Sequence, residues 1–225
     1  MKNLNSNRFS TSSANGLPFE DQFWTEIYGD GFNVDGTFNA KEHASYVYSL
    51  FRLMNISVSS LIDFGFGKGY LLKEMVQKLK PQKVIGIEPS QLMVSSLIAD
   101  DWVDKWNIAI QQNTIESFNA KPFEKEPFEL GICNSVLQYI REDIPSVFEK
   151  LSGVVRYLYF TVPTDKDYKR MKKELDFEDP YAYARSRAFY KKAYSPYFTV
   201  VSYNLLESKS VKKIHYSFME EIFRF

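Results

Sequence analysis

The pattern of apolar and polar positions is clearest over residues 58–70, which read VSSLIDFGFGKGY. The apolar run at 61–64 has the length and composition of a buried parallel strand. Three glycines follow at alternate positions. The next apolar residues recur at helical spacing, at Leu71, Leu72, Met75, Val76 and Leu79. The stretch therefore predicts a strand, a glycine turn and a helix, the arrangement in which an α/β sheet presents a ligand site at the carboxyl end of a strand.

Strand and helix patterns alternate along most of the remaining chain. The strand patterns cover 83–88, 108–111, 128–133 and 154–162, and the helical patterns cover 44–54, 92–98 and 144–151. Two final strand patterns, 197–205 and 211–223, are joined by a short polar turn and predict an antiparallel pair. We therefore predict an α/β fold with a doubly wound, mostly parallel seven-stranded sheet and an antiparallel edge pair.

The domain organisation predicted from the sequence is simple. Residues 1–18 are polar and rich in Asn and Ser, which indicates a disordered lead-in. No repeat or long linker divides 19–225, so we expect a single domain there. The charged stretch 163–196, which Pro180 interrupts, is a candidate insertion on the substrate side.

An aromatic segment lies within 19–39, where Phe23, Trp24 and Tyr28 have roughly helical spacing. Aromatic faces attract cations, so this segment is a candidate lid over a cationic ligand, with Tyr28 as a ligand contact. An aromatic stripe at helical spacing is also typical of plain core packing, and the sequence leaves both interpretations open.

Composition excludes several classes of function. The 28 basic residues balance the 28 acidic ones, so no overall field favours nucleic acid or an anionic membrane. A single cysteine, Cys133, excludes an internal disulfide framework, and no apolar run has the length of a signal peptide core or a membrane span. We expect a soluble, cytoplasmic protein without nucleic-acid or membrane partners, and the oligomeric state stays open.

Asp63 and the glycine spacing indicate which ligand the turn holds. The dinucleotide fingerprint places its third glycine three positions after the second, where this chain has Tyr70. A carboxylate beside the turn also repels a pyrophosphate, because both are negatively charged in a partly desolvated site. Asp63 instead suits an ammonium or sulfonium group, with the glycines allowing close approach of an uncharged nucleoside.

Glu88 ends the second strand, nineteen residues after Gly69 (88 − 69 = 19). An acid at this place in nucleoside-binding α/β folds accepts hydrogen bonds from ribose hydroxyls. Alone, Glu88 would equally suit a solvated acid at a strand end. Together with Asp63 it favours an adenosyl amino acid as the ligand.

The motifs LIDFGFGKG, VIGIEPS, NTIESF and FELGICNSVLQYI make residues 40–162 resemble the class I S-adenosylmethionine-dependent methyltransferases. The resemblance implies a Rossmann-like methyltransferase fold, S-adenosylmethionine as cofactor and S-adenosylhomocysteine as product. It also implies cofactor-binding positions from the glycine turn to the end of the fourth strand: Asp63, Gly65, Gly67, Gly69, Glu88, Pro89, Thr114, Ile115 and Asn134. In this scheme Glu88 holds the ribose, Thr114 and Ile115 lie beside the adenine, and Asn134 lies near the reacting end.

Two positions depart from the family pattern. Thr114 stands where Asp is commoner, which weakens the expected hydrogen bond to the adenine amino group. Glu129 replaces the usual Asp before the fourth strand, a chemically mild change.

Methyl transfer from a sulfonium requires positioning and exclusion of water more than it requires a metal. No His, Cys and Asp cluster has metal-ligand spacing, so no metal is expected. If the acceptor must lose a proton, His43 is the candidate base. The competing interpretation is a hydrogen-bonded histidine on a half-buried helix.

The acceptor is expected to be a small molecule. The Asn/Asp-Pro-Pro-aromatic motif of amino-methylating relatives is absent from CNSVLQY, and the net charge is neutral. Three alternatives stay open: a protein acceptor, a methyltransferase-like binding or assembly protein without turnover, and an NAD-dependent oxidoreductase, which Tyr70 and Asp63 disfavour.

Overall fold

The computed structural model describes Trp24 and residues 39–141 and 143–211. Within them, seven strands form one sheet in the order β3-β2-β1-β4-β5-β7-β6. The strands are β1 (Ser60–Phe64), β2 (Lys83–Glu88), β3 (Ala109–Gln112), β4 (Phe128–Asn134), β5 (Val155–Thr161), β6 (Phe198–Ser202) and β7 (Leu205–Ser208). The first five are parallel, and β7 runs antiparallel to both β5 and β6. The predicted doubly wound, mostly parallel sheet with an antiparallel edge pair is confirmed.

Helices connect the strands and cover both faces of the sheet. They are α1 (Ala40–Leu53), α2 (Tyr70–Leu79), α3 (Gln91–Ile98), α4 (Asp101–Lys105), α5 (Ile144–Val154), α6 (Asp165–Leu175) and α7 (Arg187–Tyr194). Among the described residues, no helix combines the length and the apolar composition needed to span a membrane.

Side chains alternate between two hydrophobic cores, one on each face of the sheet. Leu61 of β1 packs in the core formed with α1–α4, whereas Ile62 and Phe64 pack in the core formed with α5 and α7. Because β1 is buried on both faces, its sequence is a continuous apolar run interrupted only by Asp63. That acid lies on the same face as Leu61, beneath the helices α1 and α2.

The predicted edge pair has the wrong boundaries. The stretch assigned to one strand, 197–205, contains β6, a turn at Tyr203–Asn204 and the start of β7. Asn204 adopts φ +57°, a left-handed conformation that Asn tolerates better than most residues, and it reverses the chain there. The apolar pattern continues through this turn, so periodicity alone did not reveal it. Apart from Val211, the predicted strand 211–223 lies outside the described residues.

The charged stretch 163–196 contains two helices, α6 and α7, and Pro180 lies in the loop between them, as predicted. No residue of α6 is buried, whereas α7 contributes Tyr190 and Ala193 to the core on its face of the sheet. The short helix α4 was not predicted.

Candidate functional site

The glycine turn, residues 65–69, joins β1 to α2. Gly65, Gly67 and Gly69 have φ of +82°, +53° and +74°, a region that glycine enters without steric cost. The N–H of Gly65 donates to the carbonyl of Ile87 over 2.7 Å, and that of Gly69 donates to the carbonyl of Phe66 over 2.8 Å. The first bond holds the turn against the end of β2, and the second lies within the turn.

Two of these glycines also permit close packing by other elements. A Cβ at Gly65 would lie 2.4 Å from Cγ2 of Val136, and a Cβ at Gly69 would lie 2.4 Å from Cδ1 of Leu97. Side chains from the segment after β4 and from α3 therefore occupy the space that any larger residue would need. The glycine spacing serves the packing of the turn as well as its conformation.

Asp63 is buried, with 2% of its surface exposed, immediately before the turn. Its Oδ1 accepts no hydrogen bond from the described residues. Burial, and then the nearby charge of Glu88, raises the pKa of the Asp63 carboxyl well above its ordinary value. A buried acid of this kind gains a favourable interaction when a cation or a hydrogen-bond donor binds beside it.

Glu88 is also buried, and it connects two turns. Its Oε2 accepts a hydrogen bond from the N–H of Gly67 over 2.9 Å, and its Oε1 accepts one from the N–H of Ser90 over 3.0 Å. A carboxylate oxygen has two lone pairs, so each can accept a second bond from a ligand hydroxyl. Pro89 is half-buried between these groups. Two buried acids on adjacent strands suit a cationic ligand with hydroxyls and disfavour an anionic one.

The post-β3 loop, residues 113–118, begins where the N–H of Asn113 donates to the carbonyl of Glu88 over 3.1 Å. The Thr114 hydroxyl accepts a bond from the N–H of Ser117 over 3.1 Å, so it caps the turn locally. Ile115 is buried in the core on the α5 side. The loop thus lies beside Glu88, where the resemblance requires it.

Lys150 of α5 holds the post-β3 loop in place, and sequence reasoning missed it. Its Nζ donates to the carbonyls of Ile115 over 3.3 Å and Phe118 over 3.4 Å, and also to that of Glu116. An ammonium group has three N–H donors, so this one side chain can satisfy all three carbonyls. No local motif indicates this contact, because 32 or more residues separate Lys150 from its partners.

The post-β4 turn, residues 135–140, follows Asn134 at the end of β4. Asn134 lies opposite Thr161 of β5 and accepts a hydrogen bond from its hydroxyl. Ser135 adopts φ +55° and turns the chain, which places Val136 against Gly65. Asn134 is therefore brought to the same edge of the sheet as the glycine turn.

His43 of α1 contacts β5 rather than the glycine turn. Its Nδ1 is hydrogen-bonded to the hydroxyl of Tyr159, and the two rings meet edge to face with centroids 5.8 Å apart. Asp63, Ile132 and Tyr159 are aligned across β1, β4 and β5. Burial lowers the pKa of His43, and the charge of Glu42 partly opposes this effect. His43 thus reaches the face of the sheet that carries Asp63, two strands away.

The loop 176–186 packs on the post-β4 turn. The N–H of Tyr183 donates to the carbonyl of Gln138 over 2.8 Å, and the hydroxyl of Tyr139 donates to Oδ2 of Asp179 over 2.8 Å. The guanidinium of Arg185 donates to the carbonyls of Leu137, Ile140 and Arg141. The insertion that the sequence placed on the substrate side therefore lies beside the carboxyl end of β4.

The predicted aromatic lid is largely outside the described residues, and Tyr28 is among those that lie outside. Trp24 is buried, with 6% of its surface exposed, in the core formed with α1–α4. Its contacts agree with packing and leave a lid role untested.

Comparison with known proteins supports the assignment suggested by this geometry. Residues 61–157, a little under half of the chain, match the family model for a methyltransferase domain. That match runs from β1, through the glycine turn and Glu88, into β5. Among curated protein sequences, none is significantly similar to the chain.

Solved structures share the fold at low sequence identity. The plantazolicin methyltransferase BpumL in complex with S-adenosylhomocysteine has a TM-score of 0.64 at 13% identity, over 90% of this chain and 82% of that one. A putative sarcosine dimethylglycine methyltransferase from Galdieria sulphuraria has a TM-score of 0.55 at 12% identity, over 78% and 72% of the two chains.

A third similar structure is an S-adenosylmethionine-dependent methyltransferase from Clostridium acetobutylicum ATCC 824. It has a TM-score of 0.51 at 14% identity, over 67% of this chain and 58% of that one. The chain therefore spans less than two thirds of the length of some proteins that it resembles. The family match over residues 61–157, the sheet order and the paired acids around the glycine turn all agree with the resemblance to the class I S-adenosylmethionine-dependent methyltransferases.

Proposed function

We propose that the protein transfers a methyl group from S-adenosylmethionine to a small-molecule acceptor. The observation that carries this proposal is the pair of buried acids, Asp63 and Glu88, on adjacent strand ends around a turn of three glycines. Both acids favour a ligand with cationic or hydrogen-bond-donating groups over a dinucleotide, and the glycines leave room for a nucleoside.

The residues of the site have separate roles in binding the cofactor. Asp63 attracts the cationic amino acid end, Glu88 accepts hydrogen bonds from the ribose hydroxyls, and Ile115 lies beside the adenine. Lys150 keeps the post-β3 loop in position for that contact. When bound, the cofactor supplies an electrophilic methyl group on a leaving group that departs as a neutral thioether.

His43 is the proposed base for an acceptor that must lose a proton. Its lowered pKa keeps the imidazole neutral at pH 7, and a neutral imidazole can accept a proton. Its bond to Tyr159 orients the ring, and burial raises the pKa of Tyr159 so that this hydroxyl stays protonated. Asn134 and the post-β4 turn form the side of the site nearest the acceptor.

A small acceptor is favoured by the walls of the site. The loop 176–186 closes against the post-β4 turn through backbone and guanidinium hydrogen bonds, which narrows the acceptor side. BpumL, which shares the fold, is described in complex with a monoazolic desmethylPZN analogue and S-adenosylhomocysteine. A compact acceptor suits this chain better than a folded protein surface.

Ligand-dependent thermal stability tests the proposal. S-adenosylhomocysteine at about one hundred times its dissociation constant should stabilise the protein by about 2.7 kcal/mol, whereas NAD at the same concentration should leave the melting temperature unchanged. The proposal is contradicted if neither S-adenosylmethionine nor S-adenosylhomocysteine, at millimolar concentration, raises the melting temperature. Binding without methyl transfer to any of a broad panel of acceptors would indicate a binding or assembly protein instead.

The role of His43 predicts a particular pH profile. Because burial holds the His43 pKa below its ordinary 6.5, the acid limb of kcat/KM should have its midpoint below pH 6.5, as the imidazole becomes protonated. Replacing His43 by Asn should remove this acid limb and lower kcat while leaving affinity for S-adenosylhomocysteine unchanged. An unaltered pH profile in His43→Asn would assign the histidine to packing alone.

A further inference from the structure

The side-chain amide of Gln138 is buried with one half unpaired. The residue is 2% exposed, and its Nε2 donates to the carbonyl of Ser135 over 2.9 Å. Its Oε1 accepts no hydrogen bond from the described residues. Exchanging the amide oxygen and nitrogen would place two oxygens against each other at Ser135, so the orientation of the amide is determined by this contact.

Gln138 lies in the segment that borders the proposed methyl-transfer site. Ser135, to which it is bonded, follows the last residue of β4, and Val136 between them packs against Gly65. The backbone carbonyl of Gln138 accepts the N–H of Tyr183, so the loop 176–186 closes over the other side. Gln138 therefore belongs to the segment that packs on the glycine turn on one side and on the loop 176–186 on the other, at the strand end where ligands of such sheets bind.

An amide oxygen can only accept hydrogen bonds, and leaving one buried without a donor is unfavourable. We propose that Oε1 of Gln138 accepts a hydrogen bond from an N–H or O–H of the acceptor, and that this group is carried by the atom that is methylated. The acceptor class is then amines, amides, heteroaromatic N–H groups and hydroxyls, and it excludes thioethers and tertiary amines. This inference rests on the proposed function and names the substrate class of the same site.

The corresponding reaction is balanced without an oxidant or a metal. The nitrogen or oxygen lone pair forms a bond to the methyl carbon as the carbon–sulfur bond breaks, and that electron pair stays on sulfur as a neutral thioether. The proton of the N–H or O–H leaves to His43 or to solvent. Gln138 is a positioning residue in this step, because its oxygen orients the donor and takes no proton.

Matched pairs of small probes test the acceptor class. Each pair is a donor and its methylated counterpart: phenol and anisole, imidazole and 1-methylimidazole, and cyclohexanol and methoxycyclohexane. Dissociation constants are measured by ligand-observed NMR on protein saturated with S-adenosylhomocysteine, for the wild type, Gln138→Met and Gln82→Met. Gln82 is exposed near the amino end of β2, so its variant makes the same chemical change outside the site.

We expect the wild type and Gln82→Met to bind the donor of at least one pair about five-fold or more tightly than its methylated counterpart, in line with one hydrogen bond. In Gln138→Met this preference should fall to less than about two-fold, while affinity for S-adenosylhomocysteine stays unchanged. Equal binding of every pair by the wild type, or an undiminished preference in Gln138→Met, would overturn the inference.

A crystal structure of the wild-type complex with S-adenosylhomocysteine and the donor probe that binds most tightly tests the contact of Oε1 directly. This test does not depend on whether Gln138→Met folds. Oε1 should lie within about 3.2 Å of the probe's donor atom. An Oε1 that instead accepts a bond from another residue of the chain would contradict the proposal. Failure of S-adenosylhomocysteine to bind at all would refute the proposed function itself, so the two failures are distinguishable.

Discussion

At the scale of single residues, the carboxyl group of Asp63 lies in surroundings that disfavour its charged form. It is buried beside a second acid, and one of its oxygens accepts no bond from the described part of the chain. Such an arrangement costs stability in the free protein and is favourable once a cation binds. These properties support the proposed role of Asp63 in binding a ligand, and they predict that its contribution to the stability of the free protein is negative.

Asp63→Asn tests this trade-off. The folded protein holds the Asp63 proton at pH values where the unfolded chain has released it, so the free energy of unfolding of the wild type falls as pH rises above about 4. The Asn variant lacks this dependence, and its melting temperature relative to wild type should rise between pH 4 and pH 8. Its affinity for S-adenosylhomocysteine should fall about 10- to 100-fold, which corresponds to the loss of a charged hydrogen bond.

Differential scanning fluorimetry between pH 4 and pH 8 measures the melting temperatures, and calorimetric titration measures the affinity for S-adenosylhomocysteine. Asp104→Asn is the control, because Asp104 is an exposed acid on α4. Wild-type ligand affinity in Asp63→Asn would show that the acid does not contact the cofactor.

At the scale of elements, the glycine turn depends on its neighbours as much as on its own conformation. Gly65→Ala places a methyl group 2.4 Å from Val136 at a φ of +82°, so we expect a loss of about 2–4 kcal/mol in the free energy of unfolding. Val136→Ala in the same chain should recover part of that loss, because it removes the clash but not the backbone strain. Urea unfolding measures each value.

Gly153→Ala is the matched control for this change. Gly153 lies in α5, and a Cβ there would meet nothing within 4 Å. The same substitution should therefore stabilise the protein by about 0.5–1 kcal/mol. Equal effects of the two substitutions would be incompatible with the close contact at Gly65.

At the scale of the whole molecule, the insertion 163–196 and the post-β4 turn form one unit through Arg185. Its guanidinium donates hydrogen bonds to two carbonyls of that turn and to the carbonyl of Arg141 just after it. It also lies against the rings of Tyr183 and Phe189, at 5.1 Å and 5.3 Å from their centroids. Removing the guanidinium leaves these carbonyls without their donor. Arg185 thus couples a segment distant in sequence to the carboxyl end of β4, where the proposed acceptor would bind.

Arg185→Ala should increase backbone hydrogen exchange in both the post-β4 turn and the loop 176–186, with little change in the parallel strands. Affinity for S-adenosylhomocysteine should change less than about two-fold, since the post-β3 loop and Glu88 are untouched. Arg170→Ala, which removes an exposed ion pair with Glu174 on α6, is the control. If backbone hydrogen exchange in Arg185→Ala increases only in the loop 176–186, the post-β4 turn is held by other contacts.

The sequence by itself determined the strand, glycine turn and helix around Asp63, the position of Glu88 and the succession of strand and helix patterns along the chain that predicted a mostly parallel sheet. These features are local, because the hydrophobic periodicity, the glycine spacing and the acids at the strand ends are each recognised within a stretch of about twenty residues. The same local signals missed the turn at Asn204, because the apolar pattern continues through it. The roles of the cofactor residues, including Tyr28, stay predictions.

Only the tertiary structure decided which distant groups meet at the site. Lys150 reaches the post-β3 loop, Tyr159 meets His43 across 116 residues, and Arg185 closes on the post-β4 turn. It also decided that one half of the Gln138 amide is left unpaired among the described residues. Such contacts depend on strand order, register and helix packing, which bring together residues that share no local pattern, so no periodicity along the chain encodes them.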